Sequence, residues 1–356
     1  LFGFFSIFNS DAIKNVSLIK GGMPAQYGGR LSSVLDIAMK EGNNQKFQVD
    51  GGIGLIASRL SIQGPIKKDK ASFIVSARRT YIDALTKPFV KSSSQFYGSG
   101  YYFYDLNTKI NYRFSEKDRL YLSGYFGRDV FGLSESFVNT YGNSVINLRW
   151  NHLFSDKLFS NLSFIYSDYY YGLKLDFVGF DWNSGIRNFN IKYDFKYYIS
   201  NNFQLNYGLN EIYYKFNPGE IEPSNSDSGI VADKLTDKFA NEFAAYVDIE
   251  QRITPKLNVQ YGLRISSFIR LGQDELNIYK DDNPVVFNNT FQIYEKAAPI
   301  GQETYKRSDR LSSFINLEPR LSLAYTLADD NSIKVSYNRM AQYLHLISNT
   351  SSPTPL

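Results

Sequence analysis

The sequence predicts an all-β membrane protein: a transmembrane antiparallel β-barrel with a glycine-rich N-terminal segment in its lumen. Three observations carry that prediction. Apolar and polar residues alternate with period two through most of the chain, which gives each strand one apolar and one polar face. Short polar turns alternate with long irregular loops, as in barrels whose two rims face different compartments. Aromatics are abundant, with 28 Tyr and 28 Phe beside only 2 Trp. A mean hydropathy of -0.32 accompanies the absence of any apolar run near the ~20 residues a membrane-crossing helix needs.

The glycine-rich stretch comes first. Residues 16–42 read VSLIKGGMPAQYGGRLSSVLDIAMKEG, with extended runs at 16–20 and 31–39 around Gly21, Gly22, Gly28 and Gly29. Such glycine pairs permit positive φ or close approach to another surface. Ahead of it, Ser10 and Asp11 are placed to cap a short helical turn over 12–15. We divide the chain into 1–45, the end of a plug, and 46–356, the barrel wall. The opening LFGFFSIF lacks a basic flank and a cleavage site and so does not read as a leader; an exported protein is therefore expected to have lost its leader or to begin upstream.

From Lys46 the alternation begins, with a tight bend near Gly54. In 104–114, Tyr104, Leu106, Ile110, Tyr112 and Phe114 oppose Asp105, Asn107, Lys109, Asn111 and Arg113. The stretches 189–197, 203–209, 257–265, 317–327 and 333–337 behave alike. Short turns fall at 67–70, 115–118, 155–157, 200–202, 254–256 and 328–331, and long loops at 82–100, 131–142, 174–185, 218–238 and 272–311. The pattern yields about thirteen strands of roughly ten to sixteen residues, enough for a tilted bilayer crossing. Phe114, Phe154, Tyr197 and Phe203, beside the short turns, suit an interfacial aromatic girdle. An odd strand count and an open edge are not tolerated in lipid, so the chain is expected to stop short of closure, in a loop at 351–356.

Energetics decide which face looks out. Lys or Arg facing lipid at mid-membrane costs about 2–4 kcal/mol. Lys109, Arg113, Arg149, Lys192, Lys196, Arg264 and Arg320 therefore face the lumen, together with the acids Glu242, Asp248, Glu250 and Glu318. The chain holds no cysteine, which removes disulfides and thiolate chemistry. A net charge of +4 with scattered basic residues offers no footprint for nucleic acid. No nucleophile elbow, phosphate loop or metalloprotease motif occurs. Two histidines, His152 and His345, without cysteine argue against a transition-metal site, and we expect no cofactor and no enzyme.

KGGMPAQYGGRLSSVLDIAMKEGN resembles the end of the plug domain of TonB-dependent outer-membrane receptors. The resemblance runs on to INLEPRLSLAYTL (315–327) and SYNRMAQYLHLISN (336–349). It is nearest the Bacteroidetes type that carries a carboxypeptidase-regulatory-like extension, and departs from glycan importers that read more like AAAIYGSRGANGV. It implies a 22-stranded barrel, partial here, filled by a plug. It implies TonB-dependent import of a scarce nutrient (siderophore, vitamin, oligosaccharide or peptide), energised by the TonB–ExbB–ExbD complex. It also implies an address in the outer membrane of a Gram-negative bacterium, with lipid around the wall, long loops extracellular and short turns periplasmic. A surface lipoprotein is a further partner the resemblance admits. The competing classes are a non-transporting receptor or secretion-associated barrel, and a barrel hydrolase using His152 at the lipid-facing rim.

The candidate gating residues are Gly21, Gly22, Tyr27, Gly28, Gly29 and Arg30. Arg30 is expected to pair with a lumen acid, Glu242, Glu250 or Glu318, and so lock plug to wall. Arg78 and Arg79, at the outer end of a strand, are the candidates for contact with an anionic ligand. Asp281-Asp282-Asn283 offers oxygen ligands for Ca²⁺, although a solvated turn explains the same residues.

Overall fold

Apolar alternation of this regularity can bury its charges only if the sheet curls around something polar, and the computed structural model shows that arrangement. It describes residues 9–91, 99–133, 136–176, 178–225 and 228–344. Strands β1 (Ile13–Ile19) and β2 (Val34–Met39) form a separate antiparallel hairpin, with Ile19 opposite Val34 and Ile13 opposite Met39. The helical turn expected at 12–15 is absent. Asn9 closes a turn instead, with Ala12 N donating to its carbonyl at 3.0 Å and Asp11 N to its Oδ1 at 3.0 Å. The polar residues supply only that turn, because pairing with β2 gives the backbone from Ile13 onward a continuous ladder.

A 14-stranded antiparallel sheet makes up the rest. In chain order its strands are β3 (Gln48–Ile53), β4 (Ala57–Lys67), β5 (Ala71–Thr80), β6 (Gly100–Arg113), β7 (Asp118–Leu133), β8 (Phe137–Leu153), β9 (Leu158–Leu175), β10 (Phe180–Ser200), β11 (Phe203–Pro223), the two-residue β12 (Asp233–Lys234), β13 (Lys238–Thr254), β14 (Leu257–Leu271), β19 (Arg310–Ala328) and β20 (Asn331–Asn338). Apart from β12, which pairs only with β11, sequence neighbours in this series are spatial neighbours, from β3 at one edge to β20 at the other. The loop between β14 and β19 carries two small hairpins, β15 (Asp274–Ile278) with β18 (Gly301–Tyr305) and β16 (Val285–Asn288) with β17 (Ile293–Lys296). Helix α1 (Ile82–Thr86) lies in the loop between β5 and β6.

Two of the expected long loops are strand. β7 and β8 stay paired to Leu133–Phe137, and β9 and β10 to Leu175–Phe180. Phe137, Val138, Tyr141, Phe180 and Trp182 are strong strand formers, so pairing continues past the span, and β10 and β11 reach 21 residues each. Long connections remain at 81–99, 224–237 and 272–309, all at one rim. At the other rim every connection has four residues or fewer.

Burial is inverted relative to a water-soluble protein. Ile110, Phe189 and Leu209 are 41%, 57% and 51% exposed, whereas Arg264, Glu318 and Arg320 are 3%, 0% and 4% exposed. An apolar outer face and a charged inner one are stable only with lipid outside and polar matter inside. Near the short-turn rim the outer face turns aromatic. Tyr112 meets Phe114 at 4.6 Å, His152 meets Phe154 at 4.4 Å and Phe195 stacks on Tyr207 at 4.9 Å between ring centres. Phe114, Phe154 and Tyr197 are exposed there and Phe203 is half-buried. No helix among the described residues is long and apolar enough to cross a membrane.

Candidate functional site

The inner face of the sheet grips the N-terminal segment along two seams. The first joins residues 22–29 to β13, β14, β19 and β20. Arg320 donates to the Pro24 carbonyl at 2.6 Å and lies 3.5 Å from that of Met23, while Arg264 reaches the Ala25 carbonyl at 3.5 Å. Asp248 accepts from Ala25 N at 2.9 Å and from Gln260 at 2.8 Å. Gly22 N donates to Ser336 Oγ at 3.2 Å. Behind the arginines stands Glu318, 3.0 Å from Arg320 Nη2 and 4.0 Å from Arg264 Nε, and accepting from Ser266 Oγ at 2.6 Å.

The second seam joins 39–41 to β5, β6 and β7. Lys109 donates to the Met39 carbonyl at 3.2 Å. Asn111 and Ser72 both donate to the Glu41 carbonyl, at 2.6 and 2.8 Å. The Glu41 carboxylate meets Tyr121 at 3.3 Å and Arg119 at 3.5 Å. Asp11 also pairs with Arg59 of β4. Most of these bonds run from a wall side chain to a backbone atom of the segment, and charged donors make them stronger than neutral ones.

Glycine is required where the segment touches the wall. A Cβ on Gly28 would collide with the Arg264 side chain. Gly29 has φ +75°, and a Cβ there would sit 3.0 Å from Glu242 Oε1. Tyr27, in the same turn, lies under Lys192 at 5.9 Å from the ring centre. Burial, then the charge of Asp36, raises its phenol pKa above the ordinary value.

Of the expected locking residues, Arg30 forms no direct ion pair with Glu242, Glu250 or Glu318 among the described residues, although its charge is felt at Glu242. It is exposed, and its guanidinium folds back on the Gly29 carbonyl at 2.7 Å. The ion pairs of Glu318 are with Arg264 and Arg320. Glu242 receives the Tyr214 hydroxyl at 3.3 Å and abuts Gly29. Glu250 lies below, accepting from Gln204 and Asn206 at 3.1 Å each, beside a cavity of about 750 Å³ at the short-turn rim. Sequence reasoning placed Arg264 and Arg320 on the lumen face but not in contact with the N-terminal segment. Their partners are main-chain carbonyls, which leave no mark in the residue pattern.

The remaining candidates scatter. Arg78 is paired with Asp105 at 2.7 Å and lies over Phe103, whereas Arg79 faces Asp83 at 3.7 Å and Tyr102. Asp281 and Asp282 occupy a turn with φ +55°. Among the described residues no three His, Asp or Glu gather as a metal site. His152 binds Asp118 through Nδ1 at 2.7 Å, and Trp150 Nε1 donates to the same oxygen at 3.1 Å. Its cross-strand neighbour Ser160 is buried. His345 lies outside the described residues.

No family model matches the sequence, and no curated protein does. Solved structures do. The alcaligin outer-membrane receptor FauA from Bordetella pertussis matches with TM-score 0.62 at 12% identity, over 94% of this chain and 50% of its own. The ferric-catecholate import receptor Fiu from E. coli K12 gives TM-score 0.61 at 11% identity, over 93% and 60%. The Serratia marcescens hemophore receptor HasR, solved with its hemophore and heme, gives 0.65 at 13% identity, over 95% and 52%. The chain thus spans half to three-fifths of the length of these structures, and shares the fold of the outer-membrane receptor barrels.

Proposed function

We propose that residues 1–45 are the end of a plug and 46–356 the first thirteen wall strands of a TonB-dependent importer of a scarce nutrient. The long loops face the cell exterior and the short turns the periplasm. One observation carries this reading: buried charged side chains of the wall, Arg264, Arg320, Lys109 and Asp248, bond to the backbone of a segment that is not part of the sheet. A permanent core would be apolar. A seam of hydrogen bonds can be exchanged for water and remade, which is what a gate requires. The similar structures are named as an alcaligin receptor, a ferric-catecholate import receptor and a hemophore receptor, which supports binding and passage over covalent chemistry. Energy would come from the TonB–ExbB–ExbD complex acting on plug residues upstream of those described.

The test tethers the gate. Gly21 and Ser336 face each other across the first seam, a Cβ on Gly21 lying 3.7 Å from Ser336 Oγ. In a strain whose growth on limiting ferric siderophore, cobalamin, oligosaccharide or peptide depends on the gene, Gly21→Cys with Ser336→Cys should stop energy-dependent accumulation when oxidised. Reductant should restore it. Full uptake by the tethered protein would overturn the gate, and growth independent of the gene in every medium would favour a non-transporting barrel.

A further inference from the structure

The chain stays against the wall past the end of β20. Arg339 N donates to the Pro319 carbonyl at 3.1 Å, and a few residues on Tyr343 reaches the network behind the first seam. Its ring stacks on Phe268 with 5.3 Å between centres and 17° between planes. Its hydroxyl lies 2.8 Å from Ser266 Oγ and 3.1 Å from the Ser266 carbonyl, and accepts from Asn316 Nδ2 at 3.0 Å. Ser266 in turn donates to Glu318 at 2.6 Å, Glu318 pairs with Arg320 at 3.0 Å, and Arg320 holds the Pro24 carbonyl at 2.6 Å. An unbroken line of hydrogen bonds therefore runs from the loop-side segment to the plug backbone.

Ser266, Glu318 and Arg320 are 2%, 0% and 4% exposed, so water does not bridge the line from the side. Removing one member leaves a buried polar partner short of a bond, and the cost passes to the next. The serine has one proton to give and directs it to Glu318. A Tyr343 drawn away from Ser266 frees that hydroxyl to turn, and Glu318 is then left to its two arginines, Arg320 at 3.0 Å and Arg264 at 4.0 Å.

We infer that Tyr343 is a positioning residue of the gate. While it sits on Ser266, Glu318 holds Arg320 against the plug; when the 339–344 segment is drawn outward, the grip on Met23 and Pro24 slackens. The inference rests on the plug reading above and adds to it the wall element that controls release. It also gives a role to residues 339–344, which the gating residues alone leave without one.

The chain's lack of cysteine permits a clean reporter. Met23 is 4% exposed at the seam, and Met23→Cys in the complete protein, in isolated outer membranes, reports plug loosening as the labelling rate with a water-soluble maleimide. Tyr343→Phe keeps the stack and removes the hydroxyl, and should raise that rate about two- to tenfold. Arg320→Gln should raise it further. The diagnostic measurement is the combination: Tyr343→Phe should add nothing on top of Arg320→Gln, yet multiply the effect of Asn111→Ala at the second seam. Parental labelling in Tyr343→Phe, with Arg320→Gln accelerated, would overturn the relay, as would a Tyr343→Phe effect undiminished by Arg320→Gln. Parental labelling in Arg320→Gln itself would instead overturn the seam as the plug's lock. Ser266→Ala is the second variant, expected to match Tyr343→Phe.

Discussion

At the scale of single residues, the two arginines that matter belong to the wall. Arg320→Ala strips a bond from the Pro24 carbonyl and leaves Glu318 buried with only Arg264, a one-sided break of a buried ion pair that costs about 3–5 kcal/mol. We expect a lowered temperature for plug release and increased passive entry of bulky antibiotics. Arg30→Ala removes an exposed side chain that bonds its neighbour's carbonyl and acts on Glu242 only through its charge, and should change both far less than Arg320→Ala. Entry of such antibiotics through the Arg30 variant at the Arg320 level would reverse this assignment. The glycines of the seam were legible in the sequence, since paired glycines announce close approach. Their contacts with Arg264 and Glu242 were not, because they join positions more than 200 residues apart in the chain.

At the scale of elements, alternation made the strands readable and also fixed which side chains look inward. It misjudged where strands end. Membrane thickness sets the minimum length of a strand, and nothing in a period-two pattern stops pairing above that height, as the hairpins β7–β8 and β9–β10 show. The helical turn expected near Ala12 failed for the opposite reason: a local capping signal yielded to cross-strand pairing. The faces give a direct prediction. Phe189→Arg, on the outer face of β10, should destabilise the folded protein in bilayers by about 2–4 kcal/mol near the midplane. Asn188→Arg, one residue along and facing inward, should cost much less. Equal losses in chemical unfolding from lipid vesicles would mean that the faces are misassigned.

At the scale of the whole molecule, the two tryptophans report the inversion. Trp150 is 38% exposed on the outer face, beside the short-turn aromatic belt, and Trp182 is 4% exposed on the inner face. In vesicles of brominated lipid the emission of Trp150 should be quenched and that of Trp182 spared, so Trp150→Phe should abolish most of the quenching. Quenching that survives in Trp150→Phe would place lipid on the side now assigned to the plug. The segment 9–45 makes sense only at this scale. Read alone it is too polar and too rich in glycine to hold a core of its own, and the wall supplies its surroundings.

The strict period of the wall has a consequence for the chain before it folds. On the importer reading proposed above, the chain must first pass through an inner membrane, where some twenty consecutive apolar residues would halt it as a helix. By placing a polar residue after nearly every apolar one, the strands carry enough greasy surface for a bilayer without presenting any window the first membrane would retain. The Asn, Lys and Asp side chains that later line the lumen are thus also the chain's permit for transit. Replacing them to strengthen the wall would risk stranding the protein one membrane too early.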